Sequence, residues 1–162
     1  MKAAGSTSSI DAAAVARVPL ETALLQSLPW LSARGRAAIN FLIYDHGRSS
    51  SAEALAARLG LSTRYQLARL LRREGLPTYE TLTGWISALY WRSEAEHSHA
   101  TLVILARRSH RALAASYRLV LRVTGRRWSE LRRASFDELL RHFVEQCASP
   151  PRKADEGRPM TT

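Results

Sequence analysis

A weak internal repeat with a spacing of 50 residues constrains the fold of this chain more than any other feature. The ungapped alignment of the two copies pairs Leu55 with Leu105, Ala56 with Ala106, Arg58 with Arg108, Leu71 with Leu121, Arg72 with Arg122, Gly75 with Gly125 and Glu80 with Glu130. Each copy has the apolar spacing of two short helices around a tight turn, and each is rich in arginine. Two basic helix-turn-helix units in one chain are typical of a protein that binds two successive turns of DNA.

The charge of the chain favours a polyanionic partner. Its 162 residues carry a formal net charge of +10, with 22 Arg and only two Lys. A general compositional bias toward arginine is one account of the ratio of Arg to Lys, the other being selection of arginine for its partner, but such a bias does not explain the net charge. Because the planar guanidinium suits phosphates and guanine edges, nucleic acid is the first expected partner and an anionic membrane surface the second.

Several classes of protein are not expected. The single cysteine, Cys147, excludes an intramolecular disulfide, and its place on an apolar helical face predicts a buried thiol. No apolar run is long enough to span a membrane and the N-terminus lacks a signal-peptide pattern, so we expect a cytoplasmic protein. His97 and His99 have no partners at metal-ligand spacing. Without a phosphate-binding loop or a catalytic constellation, the sequence predicts no enzyme, no metal and no cofactor.

The apolar spacing is helical throughout and predicts an all-α protein of about nine helices. Residues 1–18 and 149–162 are predicted as disordered tails around one double helix-turn-helix domain, residues 19–148. We predict two lobes that resemble homeodomain-like bundles, one on each side of a spacer helix: residues 32–77, 78–97 and 100–148.

Polar residues predict where the helices begin and end. Gly47, Gly75 and Gly125 are expected C-terminal caps, and Ser62 is the expected N-cap of the second helix of the first lobe. Capping boxes are predicted for two further helices, from Ser50 to Glu53 and from Ser135 to Glu138.

The order of helices and turns resembles the DNA-binding region of the AraC/XylS family of transcription regulators. The resemblance is carried by residues 50–62, then by Arg64-Tyr65, by residues 70–76, and in the second copy by residues 105–108 and Gly125. Members of that family usually have a Gly-Phe pair at the second turn, where this chain has Ser109-His110-Arg111, so we expect a turn of different shape or register. The family's effector-binding domain has no counterpart here, which implies a stand-alone DNA-binding module.

The resemblance implies that the second helix of each copy enters the major groove. In the first copy the leucines at 67, 70 and 71 define the inner face, which turns the arginines outward. In the second copy Leu119 falls on the nominal outer face, so either the helix is rotated or Leu119 contacts thymine methyls or the other lobe. The candidates for reading base edges are Arg64, Gln66, Arg69, Arg111, Ser116 and Arg118. The candidates for phosphate contacts are Ser62, Tyr65, Arg72, Arg73, Arg122, Arg126, Arg127, Arg132 and Arg133.

The leading hypothesis is a monomeric, sequence-specific transcription regulator that binds double-stranded DNA and acts with RNA polymerase or another regulator. One alternative is a protein-interaction adapter on the same fold, and another is a non-specific nucleic-acid binder driven by charge. The outer surface of the helix predicted over residues 112–124 discriminates between them. An apolar surface around Leu119 favours a protein partner, whereas an arginine-lined surface favours DNA.

Overall fold

The computed structural model of the chain describes residues 19–46 and 51–151. Within these residues the chain forms only helices, which confirms the all-α prediction; the predicted N-terminal tail, the Gly47 cap and most of the C-terminal tail lie outside them. The described helices are α1 (Leu20–Ser27), α2 (Ala33–Tyr44), α3 (Ala52–Arg58), α4 (Arg64–Arg73), α5 (Tyr79–Ser98), α6 (Leu102–Arg108), α7 (Leu113–Thr124), α8 (Trp128–Leu131) and α9 (Phe136–Cys147).

Two predicted N-caps are displaced by one residue. Thr63, not Ser62, caps α4, because its extended backbone places Oγ1 3.2 Å from the backbone nitrogen of Gln66, which donates to it. Ser51, not Ser50, caps α3 by accepting a hydrogen bond from the backbone of Ala54 at 3.2 Å. Ser50 itself lies outside the described residues.

The cap at α9 is confirmed, but the predicted capping box is only half formed. Ser135 Oγ accepts a hydrogen bond from the backbone nitrogen of Glu138 at 3.1 Å. The carboxylate of Glu138 turns away from Ser135 and lies 3.4 Å from Nη1 of Arg126. The ion pair therefore takes the place of the second bond of the box, and it connects α9 to the loop after α7.

Helix α5 is the centre of the molecule and packs against α1, α2, α6, α7 and α9. Its residues from Leu82 to Leu89 are all buried, which is expected of a helix covered on every side rather than on one stripe. Trp85 and Trp91 belong to this core, as predicted for Trp85, and the indole nitrogen of Trp91 donates to Ser109 Oγ at 3.0 Å. The predicted spacer thus provides the surface on which the other helices are arranged.

Gly84 allows α7 to approach α5 closely. A Cβ atom at this position would lie 2.6 Å from Cγ1 of Val123 and 3.2 Å from Cδ1 of Leu119. Leu119 is correspondingly buried on α5, so its predicted place on the outer face is wrong, and the alternative of a rotated helix is the correct one. The glycine that weakens α5 as an isolated helix is required for the packing of α7.

The turns of the α3–α4 and α6–α7 pairs have the same hydrogen bonding. Gly60 adopts φ +72° and His110, fifty residues later, adopts φ +54°. The next residue closes the turn in each case: Leu61 N donates to Ala56 O at 2.8 Å, and Arg111 N donates to Ala106 O at 2.9 Å. The hydrogen bond that closes the turn is therefore kept without the glycine, because His110 adopts the left-handed backbone that glycine usually provides. The expected change of register is confirmed, since α4 follows the N-cap Thr63 whereas α7 follows Ala112, one residue earlier than the repeat predicts.

Candidate nucleic-acid interface

Helix α4 presents a continuous basic surface to solvent. Leu67, Leu70 and Leu71 are buried, as predicted, and they fix the orientation of the helix. The helix contains four arginines and no acidic residue. Its exposed side chains include all the predicted contact residues of the helix: Arg64, Tyr65, Gln66, Arg69, Arg72 and Arg73.

Polar contacts attach the pair α3–α4 to both ends of α2. The Arg58 guanidinium lies 4.2 Å above the Phe41 ring of α2, and its Nη1 lies 2.8 Å from Oδ2 of Asp45. At the other end, the buried Glu74 carboxylate accepts hydrogen bonds from the backbone nitrogen of Ser32, at 2.8 Å, and from the Ser32 hydroxyl. These contacts join the end of α3 to the C-terminal end of α2, and the end of α4 to the N-terminal end of α2.

Arg64 is oriented by its neighbours at the start of α4. Its Nη2 donates to the Tyr65 hydroxyl at 3.3 Å, its Cζ lies 5.2 Å from the centre of the Tyr65 ring, and its Nη1 lies 3.6 Å from Oε1 of Glu53. The hydrogen bond to Tyr65 raises the pKa of Arg64, and the same bond lowers the pKa of the Tyr65 phenol. All three side chains remain exposed, so the guanidinium is oriented but accessible to a ligand.

The side-chain amide of Gln66 takes part in the turn before α4. Its Oε1 accepts a hydrogen bond from the backbone nitrogen of Ser62 at 2.7 Å. Recognition of adenine through two hydrogen bonds needs both the oxygen and the nitrogen of the amide. In this conformation Oε1 already accepts a hydrogen bond from the turn before α4, so a contact with adenine would have to share or replace that bond, and the Ser62 backbone donor is already used.

Arg69, Arg72 and Arg73 form the remainder of the basic surface on α4. Each is exposed, and no ion pair involves any of them within the described part of the chain. Their guanidinium donors are therefore available for phosphate oxygens or base edges.

Helix α7 does not present the same face as α4, although the two are aligned by the repeat. Leu67 and Leu71 of α4 are buried, whereas the aligned Tyr117 and Leu121 of α7 are 46% and 48% exposed. The inner face of α7 is displaced by one position relative to α4, which corresponds to a rotation of about 100° around the helix axis. This inner face is formed by Ser116, Leu119, Val120 and Thr124.

Ser116 is consequently removed from the set of base-reading candidates. Its side chain is fully buried, and its hydroxyl donates to the carbonyl of Ala112 at 3.1 Å. The prediction that it faces outward is wrong because the rotation of α7 turns this position toward the core. Arg118 and Arg122 are exposed, while Arg111 is half-buried, and burial together with the charge of Arg122 lowers the pKa of Arg111.

Four further arginines predicted as phosphate contacts lie around α8. Arg127, Arg132 and Arg133 are exposed, and Arg126 is exposed but ion-paired with Glu138. The backbone nitrogen of Arg127 donates to the Glu130 carboxylate at 2.9 Å, which fixes the start of α8. Beneath them Trp128 and Leu131 are buried, as expected for residues that cover the core.

Sequence reasoning missed two features of this surface. The first is Glu74, whose burial has no signal in the local pattern because the contact with Ser32 spans 42 residues. The second is the exposed apolar stripe on α7, formed by Leu113, Tyr117 and Leu121. The four-residue spacing of these side chains can be recognised in the sequence. The same helix contains a second apolar stripe, however, and the spacing does not indicate which of the two is exposed.

The described residues include no group of three or more His, Cys, Asp or Glu side chains that could hold a metal ion. His97 and His99 are exposed, and Cys147 is half-buried against the core. Burial raises the pKa of the Cys147 thiol. Among the described helices, none combines the length and the apolar composition needed to cross a membrane.

Comparison of the chain with models of known protein families, with curated proteins and with solved structures finds no match in any of the three.

Proposed function

We propose that this protein is a transcription regulator that binds double-stranded DNA, with α4 inserted in the major groove. The proposal includes an arrangement similar to that of AraC/XylS-type proteins, in which α3–α4 and α6–α7 are helix-turn-helix lobes joined by α5. The observation that carries it is the outer face of α4, which exposes four arginines and no carboxylate on a helix anchored by three buried leucines.

The side chains of α4 are assigned different proposed roles according to their position along the helix. Arg64 and Arg69 are the proposed readers of base edges, since they lie toward the N-terminal part of the helix and arginine pairs with guanine through two hydrogen bonds. Arg72, Arg73 and Tyr65 are the proposed phosphate contacts. Gln66 is proposed as a positioning residue, because its amide oxygen stabilises the turn.

The second lobe is proposed to contact the phosphates of the same DNA molecule. Its exposed arginines, Arg118, Arg122, Arg127, Arg132 and Arg133, supply charge without a matching set of base readers. In this scheme the protein works in the cytoplasm as a monomer, has no catalytic activity and needs no cofactor.

Selection of bound sites from a randomised DNA pool, at roughly physiological salt, tests the proposal. We expect an enriched motif, and we expect Arg64→Ala with Arg69→Ala to weaken binding to it by tenfold or more, at about 1–3 kcal/mol for each lost contact. A matched control, Arg34→Ala with Arg141→Ala, removes the same charge from exposed positions on α2 and α9. Binding without an enriched motif, or an equal loss in the control, would show that charge alone drives association.

A further inference from the structure

The outer face of α7 is apolar where that of α4 is basic. Leu113, Tyr117 and Leu121 are 37%, 46% and 48% exposed, and their spacing of four residues aligns them along one side of the helix. Helix α7 contains two arginines in twelve residues, whereas α4 contains four in ten. Such a contiguous row of large apolar side chains on a soluble domain is typical of an interaction surface.

The apolar face continues into a groove between α7 and α8. Tyr117, Leu121 and Trp128 line this groove, which encloses about 370 Å³. Arg118, Arg127 and Arg132 form its rim, and no acidic residue is among the residues that line it. The groove is thus apolar along its floor and positively charged at its edges.

The shape and the charge of this groove fit a protein helix better than DNA. A base edge in the major groove offers mainly polar groups, and only the thymine methyl matches an apolar side chain. An amphipathic helix offers apolar side chains at intervals of three and four residues, which match the row on α7. Carboxylates on the flanks of such a helix would pair with the three rim arginines.

We propose that the α7–α8 groove binds an acidic amphipathic helix of a partner protein. The apolar side chains of that helix pack on Tyr117, Leu121 and Leu113, and its acidic side chains pair with Arg118, Arg127 and Arg132. The groove lies on α7 and α8, apart from the proposed DNA contacts on α4. It therefore adds a protein partner to the proposed function and does not depend on DNA binding by α4. Occupation of the groove would engage three of the arginines that are proposed as phosphate contacts, Arg118, Arg127 and Arg132.

The test uses the full chain and a fluorescent synthetic peptide of about 18 residues, long enough to form several helical turns. The probe has leucines at helical spacing and glutamates on both flanks, and a scrambled peptide of identical composition is its control. Anisotropy titrations compare the parent chain with Tyr117→Ala/Leu121→Ala and with Arg118→Gln/Arg132→Gln. A matched variant on α4, Arg69→Gln/Arg72→Gln, removes equal charge away from the groove. Circular dichroism verifies the helical content of each variant.

We expect the amphipathic peptide to bind the parent chain at least about tenfold more tightly than the scrambled peptide. Both groove variants should lose about tenfold in affinity for the amphipathic peptide, and the α4 variant should keep the parent affinity. Because two of the variants alter only charge on exposed residues, the comparison holds even if the apolar variant folds poorly.

Three results would overturn the proposal. Equal binding of the two peptides would show that the groove attracts acidic peptides by charge alone, without recognising an amphipathic helix. Loss of DNA affinity in Tyr117→Ala/Leu121→Ala, with peptide binding unchanged, would assign the face to DNA. Sedimentation that shows a dimer of the parent chain and a monomer of this variant, with no effect of the peptide, would assign it to a second copy of the chain.

Discussion

Glu74 shows how one residue connects two parts of the structure. It ends α4, and its side chain is 6% exposed although it is a carboxylate. It accepts two hydrogen bonds from Ser32 at the start of α2, and its backbone carbonyl accepts one from the indole nitrogen of Trp30 at 2.9 Å. A negative charge at the N-terminus of α2 is also favourable for the helix dipole. The start of α2 and the end of α4 are therefore stabilised by the same side chain.

We predict that Glu74→Ala lowers the free energy of unfolding by about 2–3 kcal/mol, because it removes the charged acceptor of two hydrogen bonds from Ser32. Urea denaturation followed by circular dichroism measures this change. Glu53→Ala is the matched control, since it removes a carboxylate whose side chain is 59% exposed and should have a much smaller effect. Equal losses in the two variants would mean that the Ser32 contacts contribute little.

At the scale of whole elements, the C-terminal ends of α4 and α7 use the same backbone conformation in different surroundings. Gly75 and Gly125 have φ +71° and +70°. Nothing lies within 4 Å of a Cβ atom added at Gly125, but one added at Gly75 would lie 1.6 Å from the carbonyl oxygen of Ser149. The backbone nitrogen of Ser149 donates to Gly75 O at 2.9 Å, so the chain after α9 returns to the end of α4.

This difference predicts unequal effects of one substitution. Gly125→Ala should cost about 1–2 kcal/mol, the penalty of a left-handed backbone. Gly75→Ala should cost at least about 3 kcal/mol, because it also displaces the segment after Cys147. Thermal and urea unfolding of both variants measure the difference. If the chain is ended at Cys147, the two substitutions should become equivalent; a difference that persists in the shorter chain would contradict this explanation.

Ser149 also marks where the predicted C-terminal tail differs from the structure. The tail was expected to begin at this residue, but its hydrogen bond to Gly75 attaches it to the folded domain. The proline-rich composition after Cys147 does indicate the end of helical structure. It contains no information on a contact with a residue 74 positions earlier.

For the molecule as a whole, the distribution of charge matters more than the total of +10. Near α4, Glu53 is ion-paired and Glu74 is buried, whereas Glu80 is exposed and lines the same surface hollow as Arg64 and Arg72. The four arginines of α4 therefore outnumber the exposed carboxylates around them, and this positive surface would release counterions from DNA on binding.

We predict that the affinity of the parent chain for DNA falls with salt, and that Arg72→Gln/Arg73→Gln lowers the slope of log K against log [salt] by about 2. Fluorescence anisotropy at several salt concentrations measures the slope. Arg34→Gln/Arg141→Gln is the charge-matched control and should leave the slope unchanged. A similar decrease in the control would indicate that DNA associates with the whole basic surface rather than with α4.

The sequence by itself determined the class of the fold, the approximate positions of the helices and the inner face of α4. These features depend on local properties, namely apolar spacing, capping side chains and glycine at helix ends. Helix α4 has only three large apolar residues facing one side, so a single orientation buries them and exposes the arginines. The repeat also predicted the position at which each turn closes, where His110 takes the place of Gly60. It did not predict that α7 begins one residue earlier than α4.

Only the tertiary structure decided the orientation of α7. This helix has apolar residues on two faces, with Leu119 and Val120 on one and Leu113, Tyr117 and Leu121 on the other, so its periodicity permits more than one orientation. The close approach of α5 at Gly84 selects the face that contains Leu119. That choice buries Ser116 and leaves Tyr117 and Leu121 exposed to solvent. When a helix has two apolar faces, the surface against which it packs determines which of the two is buried.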